Sequence, residues 1–452
     1  MEHRAWVLLA AAALLRFLLM GIGLYHDQNS RLKYTDVDYQ VFRDGARNMA
    51  QVNPHAQTGA FPLWGKLLFG ACDLLCGALL WKLLVLRGSN GLWSGLWLMN
   101  PLVLAISTRG SCDALQGVLV LATLLLLQNE AAPQLHRIGT DLMPTKQAKT
   151  VSSRTEIRTG SERLRPLEAQ TGSSRVFGAS VLFGLAVHMR LYPITYSLPI
   201  VLSLGLDQNS GNRNVNKRNT SGKGHNQWRS SSALQILNRF FSKDMLIFAV
   251  GSASVFLSLG LIFYYMYGEQ FLNQWLLYHL SRKDIRHNFS PFFYLLYLSS
   301  DPGVEKGVMS SALGLTLLLP QLLLLIAASF AFRSDLPFCC YVHTHILVSF
   351  NKICTSQYFV WYVCFLPLVC ARLSLSLTRA FVLLFLWFLG QALWLLPAYL
   401  LEFESVNSFF FIWTASLFFL IINCIILGQI ITHYTPLQNT FTAGKWLRHK
   451  TD

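Results

Sequence analysis

Apolar residues arrive in blocks of about 20 along this chain, as at residues 5–25, 245–266 and 408–433. At a rise of ~1.5 Å per residue such a block is long enough to cross the ~30 Å hydrocarbon core of a bilayer as one helix. In lipid every backbone N–H and C=O must find its partner within the protein, so a chain of repeated blocks folds as packed helices. The expected fold is therefore all-α, a polytopic transmembrane bundle. The chain has 452 residues, 53% of them hydrophobic and 13% charged, which excludes a soluble multidomain enzyme. The whole of 1–452 reads as a single integral-membrane domain, with the first apolar block retained as an uncleaved span.

About twelve spans are expected, near 5–25, 66–86, 91–107, 112–128, 176–188, 191–206, 245–266, 311–332, 336–350, 357–371, 379–400 and 408–433. The blocks at 176–188 and 191–206 are short, and His188-Met189-Arg190 separates them. They read as a hairpin because of the two loops beside them. Residues 134–175 carry eight Lys or Arg against four acids, and 207–244 carry seven against two. Both are basic and rich in Ser, Asn or Gly, as disordered insertions are. Positive-inside sorting puts both in the cytosol, and only a hairpin allows that. The same sorting accounts for much of the net charge of +15 without a nucleic-acid partner. The nine Cys are scattered through apolar segments without a CxxC and read as core residues. Cys112 and Cys354 fall on one membrane face by this count.

With the N-terminus cytosolic, alternation gives 87–90, 134–175, 207–244, 333–335, 372–378 and the tail one face. The opposite face receives 26–65, 108–111, the turn at Arg190, 267–310, 351–356 and 401–407. Every polar cluster with chemical potential lands on that second face. Ionisable groups near a membrane are costly unless paired or functional. Asp36 and Asp38 are the first such pair, in Thr35-Asp36-Val37-Asp38-Tyr39. On an extended backbone, residues i and i+2 point to one side, so the two carboxylates are expected to converge on one sugar hydroxyl or one metal ion. The plainer reading is that Asp38 caps a helix carrying Tyr39, Phe42, Ala46 and Met49. The two readings are compatible. Asp73 reads as a buried polar contact, Lys82 as a snorkelling cation, and Asp113 as an N-terminal helix residue. His343 and His345, at i and i+2 within a span, have a poor spacing for metal ligands, and no metal is expected.

Four motifs carry a resemblance. Tyr34-Thr35-Asp36-Val37-Asp38-Tyr39-Gln40-Val41-Phe42 is the first, and Ala186-Val187-His188-Met189-Arg190-Leu191-Tyr192-Pro193 the second. The third runs Arg282-Lys283-Asp284-Ile285-Arg286-His287-Asn288-Phe289-Ser290-Pro291, and the fourth is Phe350 to Phe359, FNKICTSQYF. Together and in this order they resemble the GPI mannosyltransferase I family, from about Val7 to His433. The resemblance implies a C-superfamily glycosyltransferase of the endoplasmic reticulum membrane with a lumenal site. It implies dolichol-phosphate-mannose as donor, glucosaminyl-phosphatidylinositol (the GPI precursor lipid) as acceptor, an α-1,4 bond, and a small single-span stabilising subunit. One departure lies at 50–66. The family continues there with a Ser-Pro-Tyr motif and an Arg-containing aromatic stretch ending in Thr-Pro-Leu. Here only Asn53-Pro54-His55 and Phe61-Pro62-Leu63 precede Gly65-Lys66.

An activated lipid phosphosugar needs a carboxylate base on the acceptor hydroxyl and cations on the departing phosphate. Asp36 is the expected base and Asp38 its assistant. Arg190, Arg282, Lys283, Arg286, His287 and Lys352 are the expected phosphate ligands, since Arg forks match phosphate geometry. The competing reading for each cation is contact with lipid headgroups. Competing functions are a lipid or solute transporter, which would call for internal repeats and midplane charges, and a catalytically impaired homologue acting as scaffold. No repeat is visible, and the charges sit at one face.

Overall fold

The computed structural model describes residues 2–31, 33–51, 61–128, 161–205, 242–278, 286–298 and 308–436. The apolar blocks are helical wherever they fall on these residues. The longer helices are α1 (Glu2–Asn29), α2 (Val37–Gln51), α3 (Phe61–Leu86), α4 (Pro101–Thr108), α5 (Asp113–Gln128) and α6 (Ser161–Met189). They continue with α7 (197–205), α8 (Lys243–Tyr267), α9 (Val308–Phe332), α10 (Leu336–Ser349), α11 (Leu377–Phe403) and α12 (Phe409–His433). Among the described residues β pairing amounts to one isolated bridge, Leu373 to Tyr434.

Five helices are long and apolar enough to cross a membrane, within α1, α3, α8, α11 and α12. Helices α4 and α5 pass the same test together but meet at 117°. Three of the expected spans are not continuous α-helices, and in one of them, 191–206, the turn Tyr192–Tyr196 leads into α7. Residues 91–107 divide into turns at Gly91–Ser94 and Gly95–Leu98, followed by α4. The breaks have a local cause. Asn90 and Asn100 each cap the helical turn next to them, accepting from the N–H of Leu92 and Leu102, and Pro101 opens α4. Residues 357–371 divide likewise into Ser356–Tyr358, Phe359–Val363 and Leu366–Cys370, the last with Pro367 in its first turn. Of the two basic insertions, 134–160 and 207–241 lie outside the described residues, and α6 begins within the first loop, at Ser161.

The chain forms two compact units, Met1–Gly117 with Phe263–Asp452, and Val118–Ile262. In the smaller unit α6 lies on α8 at Gly184, where a Cβ would stand 2.6 Å from the Ser252 carbonyl oxygen. Only a missing side chain allows backbones so close, a common device between membrane helices. Phe183 and Phe248 pack beside this contact at 5.2 Å. The outer face of α8 exposes Val250, Leu257 and Leu261, the apolar surface expected toward lipid.

In the larger unit the core of α1, α3 and the 91–98 turns is closed by a buried ion pair. Arg16 Nε donates to Asp73 Oδ2 at 2.7 Å, with both side chains almost wholly buried. Arg16 Nη1 also donates to the carbonyls of Ala12 and Leu98, and Trp97 Nε1 donates to the Asp73 carbonyl. Asp73 is thus the buried polar contact expected of it, and Lys82 is exposed. Helix α10 is buried nearly throughout, from Leu336 to Ile346. Its His343 meets Ser329 of α9 at 3.1 Å, and its His345 meets the Asn423 carbonyl of α12 at 3.1 Å.

Hydrogen bonds gather the loops of this unit into two sets. One joins Arg87, Asp335, Arg372 and Tyr434. Arg87 Nη2 donates to both Asp335 oxygens at 2.8 and 2.9 Å, Tyr434 donates to Asp335 at 2.7 Å, and Arg372 donates to the Arg87 carbonyl at 2.6 Å. The Tyr434 ring stacks on Phe338 at 3.7 Å. These residues come from the loops assigned to one face by alternation. The loops assigned to the other face join one another at the far ends of the same helices. α3 shows the polarity: it carries Lys66 in its first turns, and Arg87 comes directly after its last residue.

Candidate active site

The segment before α2 is held by side chains from three helices. Asp27, in the last turn of α1, accepts hydrogen bonds from the N–H of Tyr34 at 2.5 Å, the N–H of Thr35 at 3.1 Å and the Thr35 hydroxyl. Lys66 of α3 donates to Thr35 Oγ1 at 2.6 Å and stands 3.9 Å from Asp27. Past the end of α4, Arg109 Nε donates to the Tyr34 carbonyl at 3.0 Å, and the Arg109 carbonyl accepts from the Asp36 N–H at 3.0 Å. The Tyr34 hydroxyl meets Thr108 Oγ1 at 2.7 Å.

This clamp delivers Asp36 to the N-terminus of α2. Its carboxylate accepts from the Asp38 N–H at 3.3 Å, and its carbonyl from the Gln40 N–H at 3.4 Å. The cap is therefore Asp36, whereas the sequence reading gave that place to Asp38. Asp38 stands in the first turn of α2 and is exposed, and Asp36 is half-buried. The extended i, i+2 geometry is also corrected, because the helix begins at Val37. Both carboxylates sit where helix N–H groups and the macrodipole favour negative charge.

Tyr39 fixes the helix to its neighbours. It is buried, with Phe69 edge-on at 6.3 Å and Lys66 Nζ 5.8 Å from its ring centroid. Burial pushes its phenol above the ordinary range, against hydrogen bonds with the backbone of Lys66 and Gly65 and the charge of Arg43. Gly110 faces the ring so closely that a Cβ would lie 2.6 Å from it, and its φ of +98° is one that side chains rarely adopt.

The adjoining loops continue the same end. Asp113 is buried and accepts from Trp361 Nε1 at 2.9 Å and from Ser111 Oγ at 2.6 Å. Gln357 Nε2 donates to Ser111 Oγ at 2.7 Å, so the loop after α10 is tied to the turn before α5. Asn288 accepts from the N–H of Ser290 and of Cys354, and its own amide donates to the Arg286 carbonyl. Ser290 Oγ donates to the Asn351 carbonyl at 2.6 Å. Phe289 stacks on Trp394 of α11 at 4.2 Å, and the indole N–H donates to the Asn288 carbonyl. Neither Cys112 nor Cys354 is in a disulfide.

Of the expected phosphate ligands, Arg286 and His287 share one partner. Arg286 Nη2 lies 3.2 Å and His287 Nε2 3.4 Å from Oε1 of Glu402, at the end of α11. Burial first, and then the Arg286 charge, holds the His287 imidazole below its ordinary pKa, against the upward pull of Glu402. Lys352 is half-buried in the loop after α10. Arg190 comes after α6 in the smaller unit, half-buried, its N–H bonded to the Ala186 carbonyl. Arg282 and Lys283 lie outside the described residues. Asp27, Lys66 and Glu402 were not singled out from sequence. The one available signal was their isolation, as lone charges at the margins of apolar blocks. Among the described residues no three His, Cys, Asp or Glu are gathered as a metal ion would need.

Helices suited to a bilayer, with carboxylates, arginines and buried amides joined by hydrogen bonds among their connecting loops, define a multi-pass membrane protein. The family described as Mannosyltransferase (PIG-M) matches residues 164–431. A zebrafish (Danio rerio) protein named GPI alpha-1,4-mannosyltransferase I, catalytic subunit, is 48% identical over 457 residues, covering 96% of this chain and 98% of its own. Proteins named GPI mannosyltransferase 1 from Dictyostelium discoideum and Saccharomyces cerevisiae are 32% and 31% identical, over 95% and 98% of this chain and 92% and 100% of their own. The chain belongs to the PIG-M mannosyltransferase family.

Proposed function

We propose that this chain transfers the first mannose of the GPI anchor, in α-1,4 linkage, from dolichol-phosphate-mannose to glucosaminyl-phosphatidylinositol. The site faces the lumen of the endoplasmic reticulum, and a small single-span subunit stabilises the chain. The bundle is of the C-superfamily type with about twelve spans, α4 with the turns before it and the broken 357–371 stretch counting as two. The supporting observation is Asp36, half-buried and held through its neighbours by α1, α3 and the turn after α4.

The acceptor hydroxyl oxygen attacks the anomeric carbon of mannose while the bond from that carbon to the phosphate oxygen breaks. The configuration inverts, the hydroxyl proton passes to Asp36, and dolichyl phosphate leaves. Asp38, exposed in the first turn of α2, orients the acceptor. Arg286 and His287, with Arg282, Lys283 and Lys352, take up the phosphate charge. General-base catalysis contributes ~10²–10⁴-fold in rate.

Asp36→Asn tests the reading directly, because Asn is as good an N-cap as Asp. The substitution keeps the cap and removes the proton acceptor. In cells lacking the native enzyme, surface display of a GPI-anchored reporter should be rescued by the wild-type chain. Asp36→Asn should fail to rescue at equal protein abundance. Equal rescue by both would end the base assignment, and no rescue by the wild-type chain would end the functional reading itself.

A further inference from the structure

We propose that Asp27 and Lys66 are positioning residues for the transfer: a buried lysine and a partly exposed carboxylate that together set Asp36 through Thr35. This rests on Asp36 being the base. Lys66 is 2% exposed, an unusual state for a cation and one that demands compensation. Its ammonium finds the Thr35 hydroxyl at 2.6 Å, the Asp27 carboxylate at 3.9 Å and the Tyr39 ring face at 5.8 Å. Asp27 in turn uses both oxygens on the two residues preceding Asp36: Oδ1 on the N–H groups of Tyr34 and Thr35, and Oδ2 on the Thr35 hydroxyl. The hydroxyl of Thr35 is thus both donor and acceptor between two opposite charges.

The pair lies between separate elements. Asp27 ends α1 and Lys66 begins α3, while Thr35 lies one residue before the catalytic carboxylate. Asp36 itself has a single side-chain hydrogen bond described, to the N–H of Asp38. Its direction is therefore set by the backbone that carries it. That backbone is held on one side by the Asp27–Thr35–Lys66 group and on the other by the carbonyl of Arg109. A group misplaced by ~1 Å loses ~10²-fold in rate. Loosening Thr35 should therefore slow the chemical step without changing substrate affinity, because neither Lys66 nor Thr35 is on the exposed surface.

The test is initial-rate mannose transfer in microsomes from cells lacking the native enzyme, with abundance and thermal stability of each variant measured alongside. Thr35→Val keeps the shape and removes the hydroxyl, and Lys66→Met keeps the length and removes the ammonium. Both should lower kcat per molecule at least tenfold with KM for donor and acceptor within about twofold of wild type. Thr35→Ser should restore kcat. If Lys66→Met does not accumulate, the Thr35 pair decides alone, since valine is isosteric with threonine. Wild-type kcat in Thr35→Val, a loss traced wholly to abundance, or a rise in KM alone would each overturn the proposal. Asp36→Asn run beside these separates the two claims. If it is inactive while Thr35→Val has normal kcat, only the positioning proposal falls. If Asp36→Asn is active, the base assignment falls and takes the proposal with it.

Discussion

The Arg16–Asp73 pair gives the sharpest stability prediction. Its atoms meet at 2.7 Å with side-chain exposures of 2% and 0%. Replacing Asp73 by Leu leaves a guanidinium that still donates to the Ala12 and Leu98 carbonyls but has no countercharge. Breaking a buried pair on one side costs about 3–5 kcal/mol. At ~1.4 kcal/mol per tenfold, that is a fall of about 10²–10³·⁵ in the folded-to-unfolded ratio. Arg16→Met leaves the converse, an unpaired carboxylate, and should cost a similar amount. The double variant Arg16→Met/Asp73→Leu removes both charges and should recover most of the loss. Equilibrium unfolding of the purified chain in detergent, read across all four proteins, gives the coupling energy. With each single variant losing about 3–5 kcal/mol and the double variant little, it should exceed ~4 kcal/mol. That is above the ~0.5–3 kcal/mol usual for residues in contact, because each single variant leaves a buried charge uncompensated. A coupling below ~0.5 kcal/mol, or single variants as stable as wild type, would refute the argument that this pair closes the core.

Tyr434→Phe keeps the stack on Phe338 but removes the hydroxyl that donates to Asp335 and accepts from Arg87, so stability should drop by ~1–3 kcal/mol in the same assay. Gly110→Ala adds a methyl group against the Tyr39 ring at a φ of +98°. It should lower both stability and mannose transfer, whereas Gly21→Ala, with open space around its Cβ position, should change neither. His287 is held below its ordinary pKa in the folded chain, so the unfolded chain takes up this proton first as pH falls through ~6.5. Its contribution to stability is complete above that value and declines below it, and His287→Gln should flatten stability against pH between about 5 and 7.

Much of this architecture is written in the apolar blocks, because in lipid a run of Leu, Phe and Ile has little choice but helix. Part of the grouping of the loops was legible too. The loops holding Arg87, Asp335, Arg372 and Tyr434 were assigned to one side by charge and parity, and hydrogen bonds join them. What length alone hid was the interruption of spans. Asn90, Asn100-Pro101 and Pro367 break helices locally, yet mean hydropathy across 91–107 and 357–371 stays high enough to suggest continuous ones. The cap at α2 was misplaced by two residues, since Asp36 and Asp38 are equally good caps by chemistry. Their choice is made by the Arg109 carbonyl, contributed from a turn far along the chain. The same distance in sequence hid Lys66 and Glu402. A lone charge at the margin of an apolar block looks like an anchor in the headgroups until the chain shows what it faces.

Helix α10 has a consequence for how the chain is made. Nearly every side chain from Leu336 to Ile346 is buried, so this helix has almost no surface to offer lipid. The acceptor for its His345 is the Asn423 carbonyl, 78 residues later. At a synthesis rate of ~5–20 residues per second, α10 leaves the ribosome roughly 4–16 seconds before that partner exists. In that interval His345 lacks the carbonyl it meets in the folded chain, whereas His343 already has Ser329 of α9. The burial of α10 is therefore completed only when the C-terminal helix arrives.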